Sequence, residues 1–340
     1  MSGLMQRKSL ALVILIVIMA GLIFNGLMSG CGEVKIGTLG TLSDVPEVLI
    51  DEQTVPLASA DLIFRNSVFE IPMPDAPGLL KESNELAFID YSNKNDGYVT
   101  VGFLGSTDNI LRVLKVVPGG REYTYNLTPG EHEVLPLANG DGQYIISVHE
   151  HMVGTIYLDI ISVTIDVELT DEFAPFIRPS QLIWYDKESP FTKKALDLRS
   201  ESNNQIDLIN AIYNFVVENI TYDYELAETV DVNYTTDINR VLELGSGICL
   251  DIATLTTAML RSQGIPAKLV YGYLYISNHG NIYHAWVSVF SAEDGTIGRN
   301  IHISGGTWVL LDPTTDMILL MSESGVTVGN GVIYHDLYYY

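Results

Sequence analysis

The residues best suited to chemistry in this 340-residue chain are Cys249, His284 and Asp312. Gly245-Ser246-Gly247-Ile248-Cys249 runs directly into a segment where Ile252, Leu255, Ala258 and Met259 recur at helical spacing, and Gly264 with Pro266 stops it. The spacing predicts a helix with Cys249 at or just inside its N-terminus. Unpaired amides and the helix dipole favour an anion there, so the thiol is expected to ionise more readily than a free one. The glycines before it allow a tight turn and a close approach of substrate. Tyr283-His284-Ala285-Trp286-Val287-Ser288-Val289-Phe290 reads as a strand, with His284, Trp286 and Ser288 on one face. Trp308-Val309-Leu310-Leu311-Asp312 reads as another, with Trp308, Leu310 and Asp312 on one face and Pro313 ending it. Two neighbouring strands facing a helix N-terminus would supply a thiolate nucleophile, a base beside it, and an acceptor that fixes the imidazole tautomer. Singly, each residue has an ordinary explanation: a packed Cys, a structural His and an Asp-Pro-Thr turn.

The elements that must position these residues follow from periodicity. Leu196 and Leu198, then after a polar break Ile206, Ile209, Ile212, Tyr213, Val216 and Val217, recur at three and four residues, a helical pattern ending near Asn219 before an extended Ile220-Thr221-Tyr222. From Ala267 onward the pattern is strands. Helices followed by strands in one compact unit predict an α+β domain over 191–340. Residues 86–170 instead show short alternating strands, such as Tyr98–Phe103, Leu111–Val116 and Gln143–Val148, separated by turns at Asn95-Asp96-Gly97, Pro118-Gly119-Gly120, Pro129-Gly130 and Asn139-Gly140-Asp141-Gly142. That spacing predicts an antiparallel β-sandwich, most simply a spacer or binding module. His132, His149 and His151 fall in it without a metal-ligand spacing. Pro175, Pro179 and Pro190 mark 171–190 as a linker. Residues 31–85, broken by Pro46, Pro56, Pro72, Pro74 and Pro77, read as a tether and irregular lead-in, with Val48–Ile50 and Leu62–Phe64 as short candidate edge strands.

Composition narrows the function. Eighteen Lys+Arg against 42 Asp+Glu give a formal charge of -24, which argues against a nucleic-acid partner, since such a protein needs a basic stripe to neutralise phosphates. Two cysteines make neither a disulfide-dense scaffold nor a four-thiolate zinc site, and no metal or cofactor motif is found. Arg7 and Lys8 precede an apolar run from Leu10 to Phe24, the pattern of a secretory signal over 1–30. A plain transmembrane anchor, the rival reading, needs about 20 apolar residues. Leu27-Met28-Ser29-Gly30-Cys31 resembles a bacterial lipobox, with Met28 where Leu is commoner. That resemblance implies cleavage before Cys31, lipidation of Cys31, and an extracytoplasmic protein held on the membrane. Cys249 is then the single free thiol of an exported chain, and such a thiol is either paired between molecules or kept for its reactivity.

Gly247-Ile-Cys249-Leu-Asp-Ile-Ala253, Leu260-Arg-Ser-Gln-Gly-Ile-Pro-Ala-Lys268 and Gly272-Tyr273 resemble the core of the transglutaminase-like superfamily. His284-Ala-Trp286 and Asp312-Pro-Thr314 match its second and third motifs in order, and Ile212-Tyr213 through Tyr222 resembles its upstream helix. The resemblance covers about 190–315. It implies a papain-like fold with Cys249 as nucleophile, His284 as base and acid and Asp312 as orienter, acting on peptide or protein amides. No position matches the family's oxyanion-hole side chain. Members cross-link, hydrolyse, remove glycans or have lost activity, so hydrolysis and transamidation both stay open. A non-catalytic peptide-binding or adhesion lipoprotein with a degenerate core is the alternative.

Overall fold

The computed structural model describes residues 64–231, 234–276, 280–298, 301–321 and 332–340. The signal-like segment, Cys31 and the candidate strand Val48–Ile50 lie outside them. So do Leu62 and Ile63, while Phe64, the last residue of the second candidate strand, begins a helical turn. No helix among the described residues is long and apolar enough to cross a membrane.

The first unit contains eight strands: β1 Lys81–Ser83, β2 Ala87–Asp90, β3 Tyr98–Phe103, β4 Leu111–Val116, β5 Glu122–Leu127, β6 His132–Pro136, β7 Gly142–Val153 and β8 Ile156–Val167. They form two antiparallel four-stranded sheets in the orders β1-β2-β3-β6 and β5-β4-β7-β8. In β4 the buried residues are Leu111, Val113 and Lys115, in strict alternation with half-buried ones. That period of two is why the segment reads as a strand with one face inward. Val99, Val101, Val113, Leu135, Tyr144 and Ile146 are fully buried between the sheets, which makes this an antiparallel sandwich.

The second unit opens with helices α1 Pro190–Glu201, α2 Gln205–Asn219, α3 Tyr224–Thr229, α4 Ile238–Leu244 and α5 Cys249–Arg261, with the short parallel pair β9 Thr221–Tyr222 and β10 Ser246–Gly247 among them. Strands β11 Ala267–Ile276 and β12 Gly280–Ser291 follow, then the small pair β13 Gly295–Ile297 and β14 Ile301–Ile303, and then β15 Thr307–Leu311. Helix α6 Pro313–Met321 and strand β16 Val332–Tyr339 close the chain. The main sheet runs β15-β12-β11-β16, antiparallel throughout, and α5 packs on β11 and β12. The architecture is α+β with a strand-rich module before it. Tyr338 and Tyr339 lie in the closing strand.

Helix α5 is buried on every side: Ile252, Leu255, Ala258 and Met259 are joined in the interior by Thr254, Thr256 and Thr257. The threonines are tolerated because each hydroxyl donates to the carbonyl four residues back, at 2.7–2.8 Å. Fully burying such apolar side chains is worth about 1.5–3 kcal/mol each, enough to make α5 the fixed post of this unit. Arg261 ends it, donating to the Ala267 and Tyr340 carbonyls at 2.7 and 2.5 Å.

The two units are packed together. Tyr123 of β5 meets Tyr338 and Tyr340 edge-on at 5.1 and 5.4 Å. The stretch 171–190 lies folded against both units: Phe173 packs on Phe290 at 4.5 Å, Phe176 on Trp308 at 5.2 Å, and Gln181 donates to the Asn126 carbonyl. Ile183 and Tyr185 within it are fully buried. Helix α6 stands after Asp312, where the pattern from Ala267 onward predicted strands.

Candidate active site

Cys249 is the first residue of α5 and is half-buried. Its approach is set by β10, which pairs in parallel with β9, so that Gly247 stands beside Tyr222. A Cβ on Gly247 would come within 2.6 Å of Asp251 Cβ, so only glycine lets the chain pass this close to the helix it is about to enter. Asp251, in the first turn, is buried and accepts from the Ile248 amide at 3.0 Å, from Thr236 Oγ1 at 2.7 Å and from the Tyr234 hydroxyl at 3.0 Å. Burial pushes this carboxyl up, against the hydrogen bonds that pull it down. It locks the residue before Cys249 to the helix.

His284 lies on β12, facing inward and 5% exposed. It is placed opposite Gly272 of β11. A Cβ on Gly272 would lie 2.1 Å from the His335 carbonyl oxygen and 2.5 Å from Trp286 Cη2. The absent side chain is what lets β16 and the Trp286 ring close over this face. Trp286, two residues on, stacks along the His284 ring at 6.0 Å and 30°.

Asp312 directly follows β15, whose register on β12 sets Leu311 opposite Val287. Continuing it places Asp312 on the face shared by His284 and Trp286, as alternation predicted. Its Oδ2 accepts from His284 Nε2 at 2.9 Å. Cys249 also acts on the imidazole, favouring its charged form. The structure therefore brings Cys249, His284 and Asp312 together in that order. Thr315 adds an amide bond to Oδ1 at 3.0 Å and a hydroxyl bond to Oδ2 at 2.6 Å, and the Tyr334 hydroxyl donates to Oδ2 at 2.8 Å.

Burial opposes charge on both members of the pair, and the pair overcomes it. Desolvation would lower His284, but the Asp312 charge and hydrogen bond, with Cys249 beside it, push it up to about 10. Desolvation would raise Asp312, yet His284 and the Thr315 bonds hold it below the usual carboxylate range. Around Cys249 stand Tyr222, Tyr271 and Tyr283, raised above ordinary phenols by burial first and by Cys249 among their neighbours. Thr315, Tyr334, Asp251 and these tyrosines were not singled out from the sequence. The three sandwich histidines stay apart from the site: His132 packs on Phe88, His149 bonds Ser147, and His151 bonds the Gly154 carbonyl.

Residues 192–313 match the core of the transglutaminase-like superfamily. An uncharacterised Mycobacterium tuberculosis (strain H37Rv) protein is 33% identical over 111 residues, 30% of this chain and 32% of that protein. An uncharacterised Bacillus subtilis protein, YebA, is 28% identical over 135 residues, 35% of this chain and 17% of that one. The chain thus spans about a third or less of the length of these relatives. Among solved structures, a candidate cysteine protease from Cytophaga hutchinsonii covers 70% of this chain and 74% of its own at 16% identity, with a TM-score of 0.36. Red sea bream transglutaminase covers 64% of this chain and 48% of its own at 15% identity, with a TM-score of 0.28.

Proposed function

With residues 192–313 forming a transglutaminase-like core, we propose that this protein is a thiol enzyme that opens peptide or protein amides through a thioacyl intermediate. The observation that carries the reading is His284 held between Cys249 and Asp312, with Nε2 committed to Asp312 at 2.9 Å. Cys249 gives its proton to His284 Nδ1 and its sulfur bonds to the amide carbon, while the carbonyl π electrons move to oxygen. The main-chain amide of Cys249, in the first turn of α5, has no partner within its helix and is available to the developing oxyanion. Collapse breaks the carbon–nitrogen bond, and His284 hands its proton to the leaving amine. Water or a second amine then attacks the thioester, loses its proton to His284, and releases the sulfur. Asp312 keeps the imidazolium oriented throughout.

The chain's start supports a location. Arg7, Lys8, the apolar run and Leu27–Cys31 fit export and lipid anchoring at Cys31, so the proposed enzyme works at the outer face of the membrane, on peptides or proteins. Mass spectrometry of a peptide library, with and without added primary amine, tests activity and separates hydrolysis from transamidation. Cys249→Ala should lose at least about a thousand-fold of turnover. Alkylation of Cys249 supplies a substrate-free check. Alkylation of Cys249 much faster in the wild type than in His284→Gln supports the enzyme; equal rates in the two overturn it in favour of a peptide-binding lipoprotein.

A further inference from the structure

Asp312 Oδ2 is approached by three donors: His284 Nε2 at 2.9 Å, Thr315 Oγ1 at 2.6 Å and the Tyr334 hydroxyl at 2.8 Å. A carboxylate oxygen offers two lone pairs, so these donors compete. Tyr334 comes from β16, beyond the matched residues 192–313. Its ring meets Trp286 edge-on at 5.1 Å, and Trp286 in turn lies along His284. Strand β16 is held from both sides. Tyr334 pairs with Leu274 of β11, while Tyr338 and Tyr340 at its end pack on the sandwich residue Tyr123.

We propose that Tyr334 is a positioning residue that shares Oδ2 of Asp312 with His284 and thereby weakens the hold of the imidazolium on its proton. The inference rests on the Cys249, His284 and Asp312 reading above. An imidazolium paired to an uncontested carboxylate is a poor acid, and the reaction needs His284 to release its proton to the leaving amine. Tyr334 tempers that pairing without replacing it. Cys249 from α5 faces His284 and Tyr213 from α2 faces Asp312, while Asp316 from α6 faces Tyr334 and Tyr213. Tyr213 donates to Asp316 and not to Asp312. Among the described residues, Thr315 and Tyr334 are the hydroxyl donors on Oδ2. The Thr315 amide on Oδ1 already fixes the carboxylate in place. Removing the Tyr334 hydroxyl therefore leaves Asp312 aimed at His284 and removes a competitor, so His284 keeps its proton to higher pH.

The test is the titration of His284 in the full chain, followed by NMR of carbon-13-labelled histidine and assigned by the resonance lost in His284→Gln. Tyr334→Phe keeps the ring on Trp286 and deletes only the hydroxyl. Its His284 midpoint should rise by about one pH unit. Thr315→Val, which keeps the amide bond and deletes the other hydroxyl, should shift it the same way and decides the matter if Tyr334→Phe does not fold. A midpoint unchanged or lowered in Tyr334→Phe overturns the proposal. The titration is independent of thiol reactivity. An inert Cys249 would overturn the enzyme reading alone, and an unmoved His284 beside a reactive Cys249 would overturn this one alone.

Discussion

Asp312 does two jobs with one carboxylate: Oδ2 accepts from His284 Nε2 at 2.9 Å, while Oδ1 accepts from the Thr315 amide at 3.0 Å as the cap of helix α6. The helix N-terminus and the imidazolium both favour the ionised form. The residue that orients the proposed base is thereby pre-charged by the element that follows it.

The pair should leave a signature in stability against pH. His284 rises from its ordinary value near 6.5 to about 10 in the fold, so its contribution is full below pH 6.5 and disappears as pH climbs through about 10. Asp312 is depressed, so its contribution is present above the unfolded carboxylate value, about 3.9, and is lost as pH falls through the lower folded one. Urea unfolding of wild type and His284→Gln from pH 3 to 11 should show the largest difference between roughly pH 4 and 6.5, on the order of 3–5 kcal/mol for a broken buried pair. A difference that grows from pH 7 to 10 would contradict the assignment.

Asp312→Asn separates the two jobs. Asparagine caps helices about as well as aspartate, so the fold should lose less than about 1 kcal/mol from capping. The charge facing His284 is gone, and the amide can present its NH2 to Nε2 and select the wrong tautomer. Turnover should fall about a thousand-fold or more, and Cys249 alkylation at pH 6 should slow sharply, while the stability lost should be close to that lost in His284→Gln, because the same buried pair is broken. Unchanged alkylation would remove Asp312 from the site.

Much of this arrangement was legible from the chain, and the misses have identifiable causes. Helix α5 could be read because its period is clean and Gly247 and Gly264 bracket it, and strand β12 because its alternation is clean. Helix α6 was missed although Asp312 at the cap and Pro313 in the first turn form a helix-start signature; the preceding Trp308–Leu311 alternation drew the reading toward strand and turn. Helices α3 and α4 were passed over for a similar reason. Each is one or two turns long, and their signals are single residues, Asp223 accepting from the Leu226 amide and Asp237 from the Arg240 amide. Tyr334 had no local signal. Only the pairing of β16 with β11 carries it to Asp312, and that pairing is a long-range property of the sheet.

Asp251 offers a stability test aimed at the support of the proposed nucleophile. Asp251→Ala strands the Ile248 amide, the Thr236 hydroxyl and the Tyr234 hydroxyl in a partly dry pocket. Unsatisfied buried donors cost about 1–3 kcal/mol each, so a loss of roughly 2–4 kcal/mol is expected by chemical denaturation. Asp251→Asn should cost much less, because its oxygen can face the Ile248 amide while the two hydroxyls rotate to accept from its NH2. Equal losses in both variants would show that charge, and not hydrogen-bond satisfaction, is what α5 needs from this residue.

Lys115 makes the sharpest prediction away from the site. Its side chain is fully buried in the sandwich, its ammonium donates to the Pro136 carbonyl and lies 4.6 Å from the Tyr123 ring centroid, and desolvation lowers it to about 7. A cation depressed from about 10.4 destabilises the fold increasingly as pH falls from there to about 7, where the penalty levels off. Lys115→Met keeps the length of the side chain, removes that penalty and leaves one carbonyl less satisfied. The variant should be more stable by about 1–4 kcal/mol at pH 7, with the gain shrinking toward zero above pH 10. Over pH 7 to 10 the wild type gains stability from Lys115 losing its charge and loses it through His284. The pH profile of the wild type alone therefore reports neither residue. Paired denaturation curves, each variant against its parent at every pH, separate them, and a Lys115→Met gain that is flat from pH 6 to 11 would show that Lys115 keeps an ordinary titration inside the sandwich.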